Sequence, residues 1–184
     1  MQSGRERRDG KNGAMTLAQR VFTASHLVGS FVLRSGLTAD HYFDKYRFES
    51  DPALLAEIVH GLAPLIPPDT EGLAGLELGG VPIATMLSSL TGLPVFFVRK
   101  EAKKYGTERL CEGGDINGKR LLVVEDVVTT GGQIVLSAQD LRGEGADIGC
   151  ALCVIDRQAG GGQVLEGEGI ELRSLFTMSD LEPH

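Results

Sequence analysis

Two carboxylates stand directly before a turn rich in hydroxyl groups and glycine. The segment reads LLVVEDVVTTGGQ over residues 121–133, with Glu125 and Asp126 after an apolar run. At the start of a helix, a turn such as residues 129–132 can direct its backbone N–H groups at a phosphate. The two acids can accept hydrogen bonds from sugar hydroxyls or bind a magnesium ion that keeps its waters. The pattern predicts a site for a ribose phosphate.

A second segment, residues 98–115, concentrates positive charge. Its basic residues are Arg99, Lys100, Lys103, Lys104 and Arg109. A solvated surface loop is the simplest interpretation of such a charge run. However, a diphosphate leaving group needs positive charge, and a loop that contains Gly106, Gly113 and Gly114 can close over a site and reopen. We therefore expect a flexible active-site loop at residues 99–114.

Apolar runs that alternate with helical patterns position these groups. Helices are expected at 15–28, from Pro52 with Asp51 as N-cap, at 81–91 and at 132–143; strands are expected near 30–34, 41–46, 73–78, 94–98, 121–125, 148–155 and 170–176. This alternation predicts an α/β fold, a central parallel sheet flanked by helices. Gly160–Gly162 predicts a loop. Ligands of such sheets bind outside the carboxyl ends of the strands, where both segments begin.

Length and charge limit the classes of protein. The chain has 184 residues and a net charge of −7. We expect a single domain over residues 15–184, preceded by a disordered polar leader at residues 1–14. No apolar run reaches the ~18 residues of a membrane helix, and the negative charge disfavours unselective nucleic-acid binding. We therefore expect neither a membrane nor a nucleic acid as a partner.

The cysteines indicate a reducing compartment. Three cysteines cannot form a closed disulfide framework, and no secretory signal precedes the first helix, so a cytoplasmic location is expected. Cys150 and Cys153 lie three residues apart in an apolar run, and such residues face opposite sides of a strand. They are therefore expected in the core, not around zinc or in redox chemistry.

The segment at 121–133 resembles the signature of the type I phosphoribosyltransferases, which bind 5-phosphoribosyl 1-diphosphate (PRPP). The resemblance implies that residues 129–133 bind the 5'-phosphate and that Glu125 and Asp126 bind the ribose hydroxyls; Gln133 is atypical. It also implies a small N-terminal hood that selects the base. The PRPP-binding residues it implies are Leu78, Gly79, Arg99, Lys100, Lys103, Tyr105, Glu125, Asp126, Val127, Val128, Thr129, Thr130, Gly131, Gly132 and Gln133.

The basic segment resembles the loop of the orotate phosphoribosyltransferases, which runs Arg-Lys-Glu-x-Lys-x-His-Gly. Here Tyr105 replaces the histidine, and a phenol can still donate a hydrogen bond to diphosphate. In that subfamily the loop reaches the partner subunit's site, which implies a homodimer with shared sites. The resemblance implies Lys103, Asp126 and Glu125 as catalytic residues, with Mg²⁺ carried by PRPP and reached by the two acids through water.

Further matches concern the base. Arg34-Ser35-Gly36, the Tyr42-Phe43 pair and Asp156-Arg157-Gln158 resemble segments around the orotate pocket, although an edge strand also alternates aromatic and charged residues. The orotate-binding residues implied are Arg34, Tyr42, Phe43, Thr129 and Arg157. The function implied is transfer of the phosphoribosyl group from PRPP to orotate, giving orotidine 5'-monophosphate and diphosphate.

Three alternatives remain open from the sequence. A type I transferase for another base would share the PRPP segment. A regulator that binds PRPP or a nucleotide without turnover would share it too, although the Lys103 loop argues against that interpretation. A phospho-accepting signalling domain would explain the paired acids but not the phosphate turn.

Overall fold

The computed structural model describes residues 14–32, 36–100 and 110–182. Its helices are α1 (Leu17–Ser25), α2 (Tyr46–Glu49), α3 (Pro52–Leu62), α4 (Gly80–Thr91), α5 (Gly132–Gly143), α6 (Gly161–Gly167) and α7 (Met178–Leu181), with a 3-10 turn at Ala63–Leu65. Its strands are β1 (His26–Val32), β2 (Thr38–Phe43), β3 (Gly72–Leu76), β4 (Val95–Val98), β5 (Cys111–Glu112), β6 (Arg120–Val128), β7 (Asp147–Asp156) and β8 (Glu171–Thr177).

Six strands form the central sheet, in the order β5-β4-β3-β6-β7-β8. All neighbours pair in parallel except β4 and β5, which are antiparallel. The chain runs from β3 outward to β4, then returns to place β6 on the other side of β3. Strand order therefore reverses between β3 and β6, and in such sheets a crevice opens at this point, outside the carboxyl ends of the strands.

Helices cover both faces of this sheet, as a parallel sheet requires. One apolar core lies between the sheet and α1, α3, α4 and α7, and the other lies under α5 and α6. Residues along β6 alternate between these cores, with Leu122 and Val124 in the first and Leu121 and Val123 in the second. The predicted α/β class with a parallel sheet is confirmed.

The strands β1 and β2 form a separate antiparallel hairpin, which we call the hood. Its outer surface is apolar and exposed: Val28 is 75% accessible, Val32 79% and Leu37, in the connection, 68%. Phe31 and Tyr42 stack across the hairpin with their ring centroids 5.5 Å apart. The hood is therefore held together by cross-strand pairs and is not buried in the central cores.

Several predicted boundaries were wrong. The first helix ends at Ser25, not at residue 28, because His26 is extended and pairs with Phe43 in the hood. The second hood strand covers 38–43, and the chain from Tyr46 forms α2 where a strand was expected. Residues 160–162, expected as a loop, include the start of α6.

The predicted cap of α3 and the predicted core position of two cysteines were confirmed. Asp51 caps α3, its carboxylate accepting from the N–H groups of Ala53 and Leu54 at 3.0 and 3.1 Å. Cys150 and Cys153 are buried free thiols in opposite cores. Among the helices of the described residues, none has the length and apolarity needed to cross a membrane.

Candidate functional site: a ribose-phosphate crevice

A cavity of about 350 Å³ occupies the crevice between the carboxyl ends of β3 and β6. It is lined by Lys45, Tyr46, Glu77, Leu78, Lys100, Glu125, Val127, Val128, Thr129, Thr130, Gly131, Gly132, Gln133 and Ile134. Leu78, after β3, and residues 127–133, after β6, which were expected to bind the same substrate, thus line one cavity because their strands are neighbours in the sheet.

The turn between β6 and α5 lines the cavity at the start of a helix, a local geometry that can hold an anion and that we call the cradle. Gly131 takes φ +76° as the N-cap of α5, a conformation that disfavours a side chain. The first N–H groups of a helix lack intrahelical partners and attract negative charge. Gly161 packs close behind the turn, where a Cβ would lie 2.6 Å from the Thr129 carbonyl oxygen. The conformation of the cradle therefore depends on Gly131 at the start of α5 and on the close packing of Gly161, the first residue of α6, against it.

The two acids differ in their surroundings. Glu125 lines the cavity, and its Oε1 accepts from the Asp126 N–H at 3.2 Å. Asp126 is completely buried beneath it, and its Oδ1 accepts from the Val127 N–H at 2.5 Å. Its Oδ2 lies 2.5 Å from Lys45 Nζ, which comes from the start of α2. Only Glu125 of this pair is directly accessible from the cavity.

Burial sets the charge states of this cluster. It raises the pKa of Glu125 to about 9, and the hydrogen bond with Asp126 acts in the same direction. It also raises the pKa of Glu49, a buried residue of α2 that shares a hydrogen bond with Asp126, to about 9. Burial opposes ionisation of Asp126 too, but hydrogen bonds with Glu125 and Lys45 outweigh it and lower the pKa of Asp126. This cluster thus favours one ionised acid paired with one ammonium group.

The turn after β3 completes the wall of the cavity. A side chain at Gly79 would overlap the Asp126 carboxylate, and one at Gly80 would overlap the Val124 carbonyl oxygen. These glycines allow the turn to lie directly against β6. Beside it, the backbone N–H of Lys100 donates to Glu77 Oε2 at 3.2 Å, which places the start of the basic segment at the same cavity.

The predicted site residues fall into three groups. Those from Leu78, Lys100, Glu125 and 127–133 line the cavity, with Asp126 and Gly79 packed just behind it. Arg99, Tyr42, Phe43 and Arg157 do not line it: Phe43 packs against the first core, and the backbone N–H of Arg157 donates to the Val128 carbonyl. Arg34, Lys103 and Tyr105 lie outside the described residues.

Sequence reasoning missed the contribution of α2. Lys45, Tyr46 and Glu49 approach the acids, and Glu77 lines the cavity. The sequence offered little evidence for this helix. Lys45 and Glu49 are spaced by one helical turn, but α2 has only four residues, which is too short to show the periodicity of apolar residues typical of a helix.

Comparison with known proteins supports the interpretation of the crevice. The family profile described as "Phosphoribosyl transferase domain" matches residues 67–168, which include both walls of the cavity. The chain thus belongs to the phosphoribosyltransferase family.

Individual relatives of the chain indicate which kind of phosphoribosyltransferase it is. The chain is 48% identical over 167 residues to the orotate phosphoribosyltransferase of Nocardioides sp., covering 91% of this chain and 93% of the relative. The orotate phosphoribosyltransferase of Mycobacterium tuberculosis, solved in complex with PRPP, matches with TM-score 0.77 and 31% identity, covering 90% of this chain and 96% of that one. The enzyme from Aeropyrum pernix matches with TM-score 0.79 and 34% identity, covering 90% and 96%. The chain belongs to the orotate phosphoribosyltransferase family, which confirms the predicted family and favours orotate over the alternatives.

Proposed function

We propose that this chain transfers the 5-phosphoribosyl group from PRPP to orotate. The anomeric C–O bond to diphosphate breaks, a bond from a ring nitrogen of orotate forms, and the products are orotidine 5'-monophosphate and diphosphate. One observation carries the proposal: the glycine turn at the start of α5, the Glu125 side chain and Lys100 line a single cavity at the point where strand order reverses.

The reaction needs no protein nucleophile. Displacement passes through a ribosyl cation of oxocarbenium character, so placement and electrostatics supply the rate. Residues 129–133 bind the 5'-phosphate, while Glu125 and Asp126 hold the ribose hydroxyls beneath the developing cation, and the ionised Asp126 offsets its charge. Lys100 and Arg99 begin the segment that meets the departing diphosphate, and Lys103 and Tyr105 continue it. Arg34, Tyr42, Phe43 and Arg157 with the Thr129 hydroxyl orient orotate.

Mg²⁺ fits the carboxylates of the cavity. Glu125 and Glu77 present oxygen ligands, and the described residues hold no group of three or more His, Cys, Asp or Glu side chains that could bind a metal. This donor set suits an ion that keeps several waters and arrives with the substrate, with Glu125 reaching it through water. Asp126, which was expected to do the same, is buried and paired with Lys45. When bound, it neutralises charge on the diphosphate.

The test is diphosphate release from PRPP and Mg²⁺ with orotate, uracil, adenine, hypoxanthine and xanthine in parallel. Release with orotate alone is expected. Diphosphate release with another base would support the same reaction with a different substrate. PRPP binding without diphosphate release with any base would favour a regulator. Glu125→Gln serves as the impaired control, which separates turnover at this site from a contaminating activity.

Lys103 is proposed to act on the leaving group. Lys103→Ala should lower turnover more than PRPP affinity, because its contact with diphosphate strengthens as the bond breaks. Steady-state kinetics with varied PRPP measure both, and an unchanged turnover removes Lys103 from the mechanism.

We also propose a homodimer in which residues 99–114 of one subunit reach the partner's site. The exposed apolar surface of the hood supports an association between copies. Mixing inactive Lys103→Ala and Glu125→Gln subunits should restore part of the activity, since one mixed site receives both intact residues. A mixture as inactive as its components would contradict shared sites. The cytoplasmic location remains a prediction.

A further inference from the structure

Asp126 is the point at which three separate segments of the site meet. It lies on β6 just behind the cavity, its carboxylate fills the space beside Gly79 after β3, and its Oδ2 lies 2.5 Å from Lys45 Nζ, just before α2. Asp126 is wholly buried, whereas the Lys45 side chain is one-third exposed and lines the cavity. The contact therefore lies at the boundary between the cavity and the core.

The cluster needs a cation. The carboxyl groups of Glu49 and Glu125 both interact with that of Asp126 in a buried place, where unpaired charge is costly. Lys45 supplies the ammonium group at the one oxygen, Asp126 Oδ2, that faces away from the backbone N–H of Val127. Each Asp126 oxygen thus has a fixed partner, which sets the orientation of the carboxylate.

The ion pair between Lys45 and Asp126 also connects two parts of the fold. Lys45 lies two residues after β2, so the ion pair joins the hood to the carboxyl end of β6. Tyr42 and Phe43, which the base site is expected to use, are three and two residues away. An anchor at Lys45 therefore sets the hood relative to the ribose-binding acids.

We propose that Lys45 is a positioning residue for phosphoribosyl transfer, holding the Asp126 carboxylate beneath the ribose and anchoring the hood to it. The proposal rests on the proposed function. Because Asp126 counts most when positive charge develops on the ribose, loss of Lys45 should lower kcat more than it raises the KM for PRPP.

The test compares Lys45→Met, Lys45→Arg and the matched control Lys119→Met, which makes the same change at the opposite end of β6. Lys45→Met should lower kcat about tenfold or more with the PRPP KM changed less than about threefold, and Lys45→Arg should recover most of that loss. Lys119→Met should resemble the wild type. A kcat for Lys45→Met within about twofold of the control overturns the proposal.

A double-mutant cycle decides whether Lys45 acts through Asp126. Lys45→Met should cost little further kcat in an Asp126→Asn background, where its partner charge is gone; independent, multiplying losses overturn the proposal. If Lys45→Met alone does not fold, thermal unfolding of the Asp126→Asn variant is compared with that of the double variant. The double variant should be at least as stable as Asp126→Asn. A less stable double variant would contradict the proposal that Lys45 acts through Asp126.

The proposed function can fail separately. A wild-type chain with no base-dependent diphosphate release contradicts that function, and the same cycle is then measured on the Kd for PRPP. Coupling between Lys45 and Asp126 in those constants supports the positioning role, and additive effects overturn it.

Discussion

The phosphate half of the site and the hood are built in different ways. The phosphate half is one continuous stretch from β6 into α5, lying between two buried cores and shaped by backbone groups and glycines. The hood is a two-stranded hairpin with exposed apolar side chains, and it reaches the site through the Lys45–Asp126 contact.

This difference suggests a division of labour. A cradle made of backbone N–H groups on a rigid scaffold can bind the invariant part of the substrate, the 5'-phosphoribosyl group. Side chains on an exposed hairpin are better placed to select the variable part, the base. Changes in the first region should therefore disturb PRPP use, and changes in the second should disturb orotate use.

Gly79→Ala should disturb Asp126, the residue that joins the phosphate half of the site to Lys45 next to the hood, and should have the largest effect. The new methyl group overlaps the Asp126 carboxylate, so the turn after β3 or the acid must move. We expect kcat/KM to fall about 100-fold and the free energy of unfolding to drop by roughly 1–3 kcal/mol. Steady-state kinetics and urea unfolding measure the two effects.

Gly143→Ala is the control, because a Cβ there meets nothing within 4 Å at the end of α5. It should keep full activity. Equal activity of the two alanine variants would contradict the close packing of Gly79 against Asp126.

Gly161→Ala should disturb the phosphate half alone. Its Cβ would lie 2.6 Å from the Thr129 carbonyl oxygen, pushing the cradle from behind. We expect the PRPP KM to rise about tenfold and the orotate KM to change little. Gly162→Ala, whose Cβ has a neighbour only at 4.0 Å, should behave as the wild type; a rise confined to the orotate KM would refute this division of roles.

Tyr42→Ala should disturb the hood alone. It removes the ring that stacks on Phe31, and the resemblance assigns Tyr42 to the base site. We expect the orotate KM to rise about threefold to tenfold with the PRPP KM nearly unchanged. Val28→Ala, on the exposed surface of the same hairpin, is the comparison, and equal orotate KM values for the two variants would remove Tyr42 from base binding.

Glu49→Gln should change stability with pH. Burial, first, and the hydrogen bond with Asp126 raise the pKa of Glu49 to about 9, far above its ordinary value of 4.5. A raised carboxyl pKa stabilises the fold below pH 4.5, and this contribution is lost as the pH rises toward 9. Glutamine cannot ionise, so the variant should gain stability over the wild type progressively from pH 5 to pH 9, by roughly 1–3 kcal/mol at the upper end.

Urea unfolding at several pH values measures this effect. Glu57→Gln is the matched control, since Glu57 is an exposed residue of α3 paired with Arg20 and its pKa is lowered. It should show no such gain. If the free energy of unfolding depended on pH in the same way for Glu49→Gln and the wild type, the carboxyl group of Glu49 would not have a raised pKa in the folded protein.

Much of the fold and of the phosphate site was readable along the chain. The β6 strand, the acids and the glycine turn are adjacent in sequence, and the apolar run and the N-terminal glycines of a helix are local signals. The boundary errors lie elsewhere: α1 ends early because His26 pairs with Phe43, a contact across seventeen residues that no local period reveals.

The sequence by itself determined the class of fold, the family and the place of the glycine turn that begins α5, because such a turn depends on a few consecutive residues. Only the tertiary structure decided that Asp126 is buried while Glu125 faces the cavity, and that Lys45 and Glu49 from α2 complete the cluster. Burial and ion pairing depend on which elements pack together in space, and spacing along the chain carries no record of that packing.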